Sequence, residues 1–240
     1  MTQPPGASPL PVIAIRPEPG LSATIAEANT VGLDVHGFAL FAGEPLAWSA
    51  PDPAAYAGLL AGSAALFRLG GAGLERLRGL PVHAVGETTA TAAHTAGFAV
   101  AGTGEGGLNA LVQHLSPAHY LRLAGEAHVA LDPLPGVTID TRVVYRMAAL
   151  DLPPALVALL AAPALVLLHS GEAARHFASA CDAHGIDRSA IALAALASRV
   201  AEVAGPGWAR VGVATQRTDR ALLALASEMC QMVAGRGERR

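Results

Sequence analysis

Short apolar runs, each closed by Gly, Pro or a hydroxyl residue, alternate with stretches of helical periodicity from residue 12 to residue 233. Strand then helix, repeated many times, is the pattern of parallel sheets covered by helices on both faces. An α/β fold is therefore expected. Strands are predicted at residues 12–16, 64–69, 82–85, 98–101, 119–123, 139–145, 164–169, 190–195 and 209–214. Helices are predicted at 21–31, 52–60, 88–95, 107–115, 155–161, 172–184, 198–203 and 219–233, with Ser22 a candidate cap for the first. Residues 35–41 alternate loosely and suit a strand or a linker. The tail from Gly235 is expected to fray.

The rhythm also repeats. Val85-Gly86-Glu87-Thr88-Thr89-Ala90 lies opposite Ala195-Leu196-Ala197-Ser198-Arg199-Val200, and at the same offset of 110 Ala96-Gly97-Phe98 meets Pro206-Gly207-Trp208. Upstream, Ala65-Leu66-Phe67 roughly matches Val166-Leu167-Leu168. The simplest reading is a duplicated unit, hence two similar lobes with the working site in the cleft between them. A chain of 240 residues has room for two small α/β domains.

Composition removes whole function classes. Half the chain (52%) is apolar but only 4% is aromatic, so Ala, Leu and Val must fill the core with small pieces. Net charge is −3 and no basic tract occurs, which argues against nucleic-acid binding. All 16 basic side chains are Arg. Without Lys there can be no Schiff-base lysine and no P-loop lysine. Cys181 and Cys230 lie in no CxxC, so neither a zinc site nor a disulfide framework is indicated, and reduced thiols in a cytoplasm fit best. The Pro-rich start, residues 1–11, has no basic or apolar core of a signal peptide. The longest apolar run, residues 152–168, is broken by Pro153, Pro154 and Pro163, so a helix, a turn and a buried strand explain it better than a membrane span.

Several predicted strands end in small or hydroxylated residues just before a helix, as in Gly86-Glu87-Thr88-Thr89 and His169-Ser170-Gly171. Free backbone N–H groups at such turns bind anions, although Ser and Thr also serve there as ordinary caps. Arg16, Arg122, Arg146 and Arg175 fall near strand ends or helix starts, where their forks suit carboxylates. Nine His residues show no HxH or HxxxH pair beside a third ligand, so no metal site is expected. A GxSxG elbow and a GxGxxG after the first strand are both missing, which leaves a serine hydrolase and a dinucleotide site unsupported.

Four segments, taken in order, carry a resemblance. They are Ile15-Arg16-Pro17, Val85-Gly86-Glu87-Thr88-Thr89-Ala90, Thr141-Arg142-Val143-Val144-Tyr145-Arg146 and Leu168-His169-Ser170-Gly171-Glu172-Ala173-Ala174-Arg175. Their order and spacing resemble the uroporphyrinogen-III synthase family, whose patterns read roughly TRP, VGxxTA, VYR and FTSxxAV. The resemblance spans residues 12–233. It implies two lobes, each a small parallel sheet flanked by helices, joined by a two-stranded linker. One lobe would take residues 1–40 and 148–240, the inserted lobe 47–138, and the linker strands 35–46 and 139–150. It implies a lyase that cyclises hydroxymethylbilane, a linear tetrapyrrole with eight carboxylates, to uroporphyrinogen III without a cofactor. Water leaves and the last ring inverts through a spiro intermediate.

By the VYR match, Tyr145 is the implied acid, with a core tyrosine as the alternative. Substrate contacts are implied for Arg16, Thr88, Thr89, Arg146, Ser170, Gly171, Arg175 and Ser198. The implied partners are the tetrapyrrole and, transiently, hydroxymethylbilane synthase, with no nucleic acid and no membrane, for a cytoplasmic monomer. Three departures stand out. The inserted lobe's counterpart of FTSxxAV reads Phe67-Arg68-Leu69-Gly70-Gly71-Ala72, without hydroxyls. Arg199 stands where a second Thr is common. Pro133 and Pro135 interrupt a usual helix at residues 131–136. The competing reading is a non-catalytic two-lobed binder or sensor of a small anionic metabolite, or a scaffold relative.

Overall fold

The computed structural model describes residues 10–237, with side chains to residue 232. In chain order it forms β1 (Val12–Ala14), α1 (Gly20–Thr30), β2 (Val35–Gly37) and β3 (Phe41–Pro45). Next come β4 (Gly58–Ala61), α2 (Ala65–Leu69), β5 (Val82–Val85), α3 (Glu87–Thr95), β6 (Val100–Gly104), α4 (Leu108–Val112), β7 (His119–Gly125) and β8 (Thr138–Ala149). The last part is α5 (Pro154–Leu160), β9 (Ala164–Leu168), α6 (Gly171–Ala183), β10 (Ile191–Ala195), α7 (Ser198–Ala204), β11 (Arg210–Val213) and α8 (Asp219–Gly237). Two compact units result: unit 1, Met1–Ala42 with Ala149–Arg240, and unit 2, Gly43–Ala148.

Unit 1 holds a five-stranded sheet in the order β11-β10-β9-β1-β2, every pair parallel. Its central strands are apolar at every position because both faces are covered. Ile13, Val166, Leu168, Leu193 and Ala195 face one core, which α5, α6 and α7 close with Leu156, Phe177 and Val200. Val12, Ala14, Leu165 and Leu167 face the other, closed by Leu21 of α1 and Leu222, Ala226 and Met229 of α8. Burying a Phe or Leu in this way stabilises by about 1.5–3 kcal/mol each. The apolar run at 152–168 divides as expected into α5, a turn and β9.

Unit 2 holds a six-stranded sheet in the order β3-β8-β7-β4-β5-β6. Strands β8, β7, β4, β5 and β6 are parallel. The Leu46 N–H meets the Val144 carbonyl and the Leu150 N–H meets the Leu40 carbonyl, so the chain through β3 runs opposite to β8. One face packs Leu59, Ala61, Leu121 and Leu123 under α2 and α3. The other packs Leu60 and Tyr120 under Leu108, Leu111 and Val112 of α4.

Several expectations are corrected. Residues 52–60, expected as helix, form a single 3-10 turn at Pro53–Ala55 and then β4. Residues 64–69, expected as strand, form α2. β4 lies between β7 and β5, so Leu59, Leu60 and Ala61 are all buried and show no period of two. A continuous apolar run cannot be told from a helix by period alone. The proposed match of residues 65–67 to 166–168 therefore fails, since one is helix and the other strand. Ser22 does not cap α1. It lies inside the helix, where its hydroxyl and its N–H donate to the Glu18 carboxylate at 2.8 and 3.1 Å. Helix α8 continues through residue 237 rather than fraying at Gly235. Residues 131–136 are non-helical, as their prolines imply. The segment read as lacking a signal peptide lies, up to residue 9, outside the described residues.

Candidate functional site

In unit 2 the strand order reverses between β4 and β7. The chain runs from β4 to β5 and β6 on one side, and β7 continues to β8 on the other. Loops that leave adjacent parallel strands in opposite directions open a crevice at the carboxyl ends of those strands, where α/β sheets bind ligands. A cavity of about 270 Å³ occupies this place, lined by Gly62 and Ser63 after β4, Arg122 to Gly125 of β7, His128 and Val129 beyond, and Tyr145 of β8.

Tyr145 reaches the cavity through a local irregularity. The β7–β8 register pairs Ala124 with Val143 but Gly125 with Tyr145, so Val144 is an extra residue. Such a bulge re-aims the side chain that follows it. Val144 and Tyr145 consequently pack into the same core, which strict alternation forbids. Gly125 leaves room for the phenol, because a Cβ there would lie 2.8 Å from Tyr145 Cζ and 3.1 Å from its oxygen. Tyr145 is 9% exposed, and its hydroxyl has no protein hydrogen-bond partner among the described residues.

Arg122 projects from the face of β7 that also carries Tyr120. Its Nη1 donates to the Val129 carbonyl at 2.8 Å, and burial pushes its pKa down. The segment that holds this carbonyl has no helix of its own. It is fastened to α4 instead: Asn109 Nδ2 donates to the Ala130 carbonyl at 3.3 Å, Gln113 Nε2 to the Asp132 carbonyl at 2.7 Å, and the Asp132 N–H to Asn109 Oδ1 at 3.2 Å.

Unit 1 has the equivalent reversal between β1 and β9. Arg16 follows β1, His169 and Ser170 follow β9, and Asp219 opens α8. Arg16 Nη1 donates to Asp219 Oδ1 and Oδ2 at 3.0 and 2.9 Å and to Thr24 Oγ1 at 3.2 Å, while Thr24 Oγ1 donates to Asp219 Oδ2 at 2.7 Å. The position of Arg16 after a strand suggests that it meets a substrate carboxylate; here its Nη1 already meets one from the protein. His169 Nε2 lies 3.3 Å from Asp219 Oδ1, yet neither ring nitrogen has an aligned partner. Burial, with the Arg16 charge alongside, pushes the imidazole down to about 4.

The remaining predicted residues are dispersed. Thr88 is exposed and Thr89 buried in the first turn of α3, after Gly86, whose φ of +75° lies in the left-handed region that favours glycine. Ser170 caps α6, its hydroxyl accepting from the Ala173 N–H at 3.1 Å, and Gly171 begins that helix. Arg175 is exposed on α6, and Ser198 is exposed as the first residue of α7. Arg146 is exposed and paired with Glu44 at 2.8 Å.

Ser63 escaped the sequence reading. The inserted lobe's strand-to-helix turn is Leu60-Ala61-Gly62-Ser63, in the same relation to β4 as Leu168-His169-Ser170 to β9, so a hydroxyl is present after all. The repeated sequence of apolar run, small residue and Ser was the signal that could have found it. Together the cavity offers a phenolic O–H donor, a guanidinium and a hydroxyl. These can protonate a leaving group and grip an anion. A thiol nucleophile is unsuited, since burial pushes Cys181 up to about 12. Among the described residues no group of three or more His, Cys, Asp or Glu could hold a metal ion, and no helix is long and apolar enough to cross a membrane.

Fold and site define a two-unit parallel α/β protein with a polar cavity at a sheet reversal. The family model for uroporphyrinogen-III synthase HemD matches residues 61–224, more than half of the chain. The chain belongs to the uroporphyrinogen-III synthase family, whose members are cyclising lyases of tetrapyrrole biosynthesis. Among solved structures, the uroporphyrinogen-III synthetase of Helicobacter pylori is 15% identical, with a TM-score of 0.63 over 92% of this chain and 99% of that one. That likeness establishes the fold. The uroporphyrinogen III synthase of Thermus thermophilus is 18% identical, with a TM-score of 0.38 over 96% of this chain and 100% of that one. No curated protein matches the sequence.

Proposed function

We propose that the chain closes hydroxymethylbilane to uroporphyrinogen III, with Tyr145 donating the proton on which the terminal hydroxyl departs as water. The observation that carries this reading is the family match across residues 61–224, which takes in the whole cavity and Tyr145. The substrate closes unaided to the wrong isomer, so the enzyme's task is to hold and fold it more than to supply strong acid–base chemistry. A phenol is a mild donor suited to that demand. Helix starts bearing Thr88, Thr89, Ser170, Gly171 and Ser198 present backbone N–H groups to carboxylates. Arg146 and Arg175 add positive charge, while Arg16 holds Asp219 and shapes the edge of its sheet. The reading also carries a cytoplasmic monomer that meets hydroxymethylbilane synthase transiently.

The test couples the purified protein to a deaminase that produces hydroxymethylbilane, oxidises the products and separates the isomers. Isomer III in large excess is expected. Isomer I alone, at the spontaneous rate, would return the chain to the class of non-catalytic anion binders.

A further inference from the structure

Arg122 poses a thermodynamic problem inside unit 2. The residue is 6% exposed, yet among the described residues no carboxylate pairs with it. Its protein hydrogen bond, from Nη1 to the Val129 carbonyl, engages one of five N–H donors. A guanidinium largely withdrawn from bulk water without a counter-charge is unfavourable, and the nitrogens of Arg122 without a protein partner keep what solvent access they have through the cavities they line. The backbone of Arg122 is nevertheless fixed on both sides by strand pairing, with Leu60 of β4 and Thr141 of β8 as register partners.

Two cavities meet at this group. The first, already described, also contains Tyr145 and Ser63. The second, about 310 Å³, is bounded by Leu131, Pro133, Thr138 and Thr141. His128 lines both, with Nδ1 at 2.8 and 3.1 Å from the carbonyls of Gly125 and Glu126. Both contacts are acceptors, so Nδ1 carries the proton and Nε2 remains as the ring's other polar atom. A buried cation, hydroxyls on either side and space for a small group make a site suited to an anion.

We propose that Arg122 anchors a carboxylate-binding subsite, gripping one carboxylate of the linear tetrapyrrole and thereby fixing the substrate's register against Tyr145. The identity of the carboxylate rests on the reaction proposed above; the anion site itself rests on Arg122 and its cavities. Carboxylate and guanidinium match as two parallel N–H to O bonds, which fixes orientation as well as position.

The test compares the wild type with Arg122→Leu and Arg122→Lys. Arg122→Leu is expected to raise KM for hydroxymethylbilane roughly 30-fold or more and to lower kcat with it, because the substrate's register against Tyr145 is lost. Its ligand-free melting temperature should hold or rise, since an unmatched buried charge is gone. Arg122→Lys should recover part of the KM. An unchanged KM in Arg122→Leu overturns the proposal; if that variant does not fold, an unchanged KM in Arg122→Lys does so. A second measurement is independent of turnover. The Arg122 Nε–H resonance of the wild type should shift saturably with propionate and not with neutral propionamide. Equal responses to the two overturn the anion site. A propionate response in a protein that makes no isomer III supports the subsite and removes the reaction.

Discussion

Tyr145 reaches its cavity because two neighbours make way for it: Val144 takes up the extra position of the bulge, and Gly125 has no side chain to obstruct the phenol. A hydroxyl without a protein partner at the mouth of a core is poised to donate outward. Replacing Tyr145 by Phe keeps the packing and removes only the donor. Turnover is expected to fall on the order of 100-fold, with the melting temperature within about 2 °C of wild type. Equal rates in a coupled isomer assay would remove Tyr145 as the acid. His169 makes a different prediction. The folded chain holds its imidazole neutral down to about 4, whereas the unfolded chain binds a proton near the ordinary value of about 6.5. Between those values the unfolded state carries more protons, so the stability that this residue contributes is complete above about pH 6.5 and declines as pH falls toward about 4. Urea midpoints measured at pH 7 and pH 5 should drop for the wild type and drop less for His169→Gln. Matching slopes would exclude His169 as the responsible group.

Among elements, β4 and α2 show where sequence reading reaches its limit. Strands at the edges of local pattern, such as β7 and β9, were legible because turn residues bracket them. β4 was not: like β9 it is buried on both faces and has no alternation to detect, but the Ala-rich residues before it blend its short apolar run into a helix-like stretch, and its neighbour α2 is too short to show helical period. The site suffered for the same reason: Tyr145 was legible from a motif, but Ser63 disappeared with the misplaced strand. Arg122 was visible as a charged residue near a strand end, yet its burial depends on strand pairings that no local pattern reveals. The roof over Arg122 is the opposite case. Prolines at 133 and 135 forbid helix there, and side chains of Asn109 and Gln113 replace the missing backbone bonds. The double variant Asn109→Ala/Gln113→Ala should speed exchange of the Asp132 amide, whose N–H is held by Asn109, at least tenfold while the β7 amides stay protected. Unchanged exchange would mean that the segment is held by packing alone.

At the scale of the whole molecule, each unit carries its own cores. The two of unit 1 draw on residues from both ends of the chain, whereas the two of unit 2 lie within Gly43–Ala148. A fragment comprising Gly43–Ala148 is therefore expected to unfold cooperatively in urea, and a fragment ending at residue 148 should leave β1 and β2 unprotected from proteolysis. A fragment of unit 2 with no cooperative transition would show that its cores are insufficient. The expectation of two similar lobes is sound at the level of sheet and layer, with a reversal of strand order in each.

The placement of β1 has a further consequence for a nascent chain. Val12 leaves the ribosome well before its register partner Leu165, which follows only after unit 2 has been made. At roughly 5–20 residues per second, β1 waits about 8–30 s for the strand that covers its other edge. During that interval unit 2 can fold while β1 keeps one edge of apolar backbone unpaired, so unit 1 completes its sheet only after unit 2 has had time to fold.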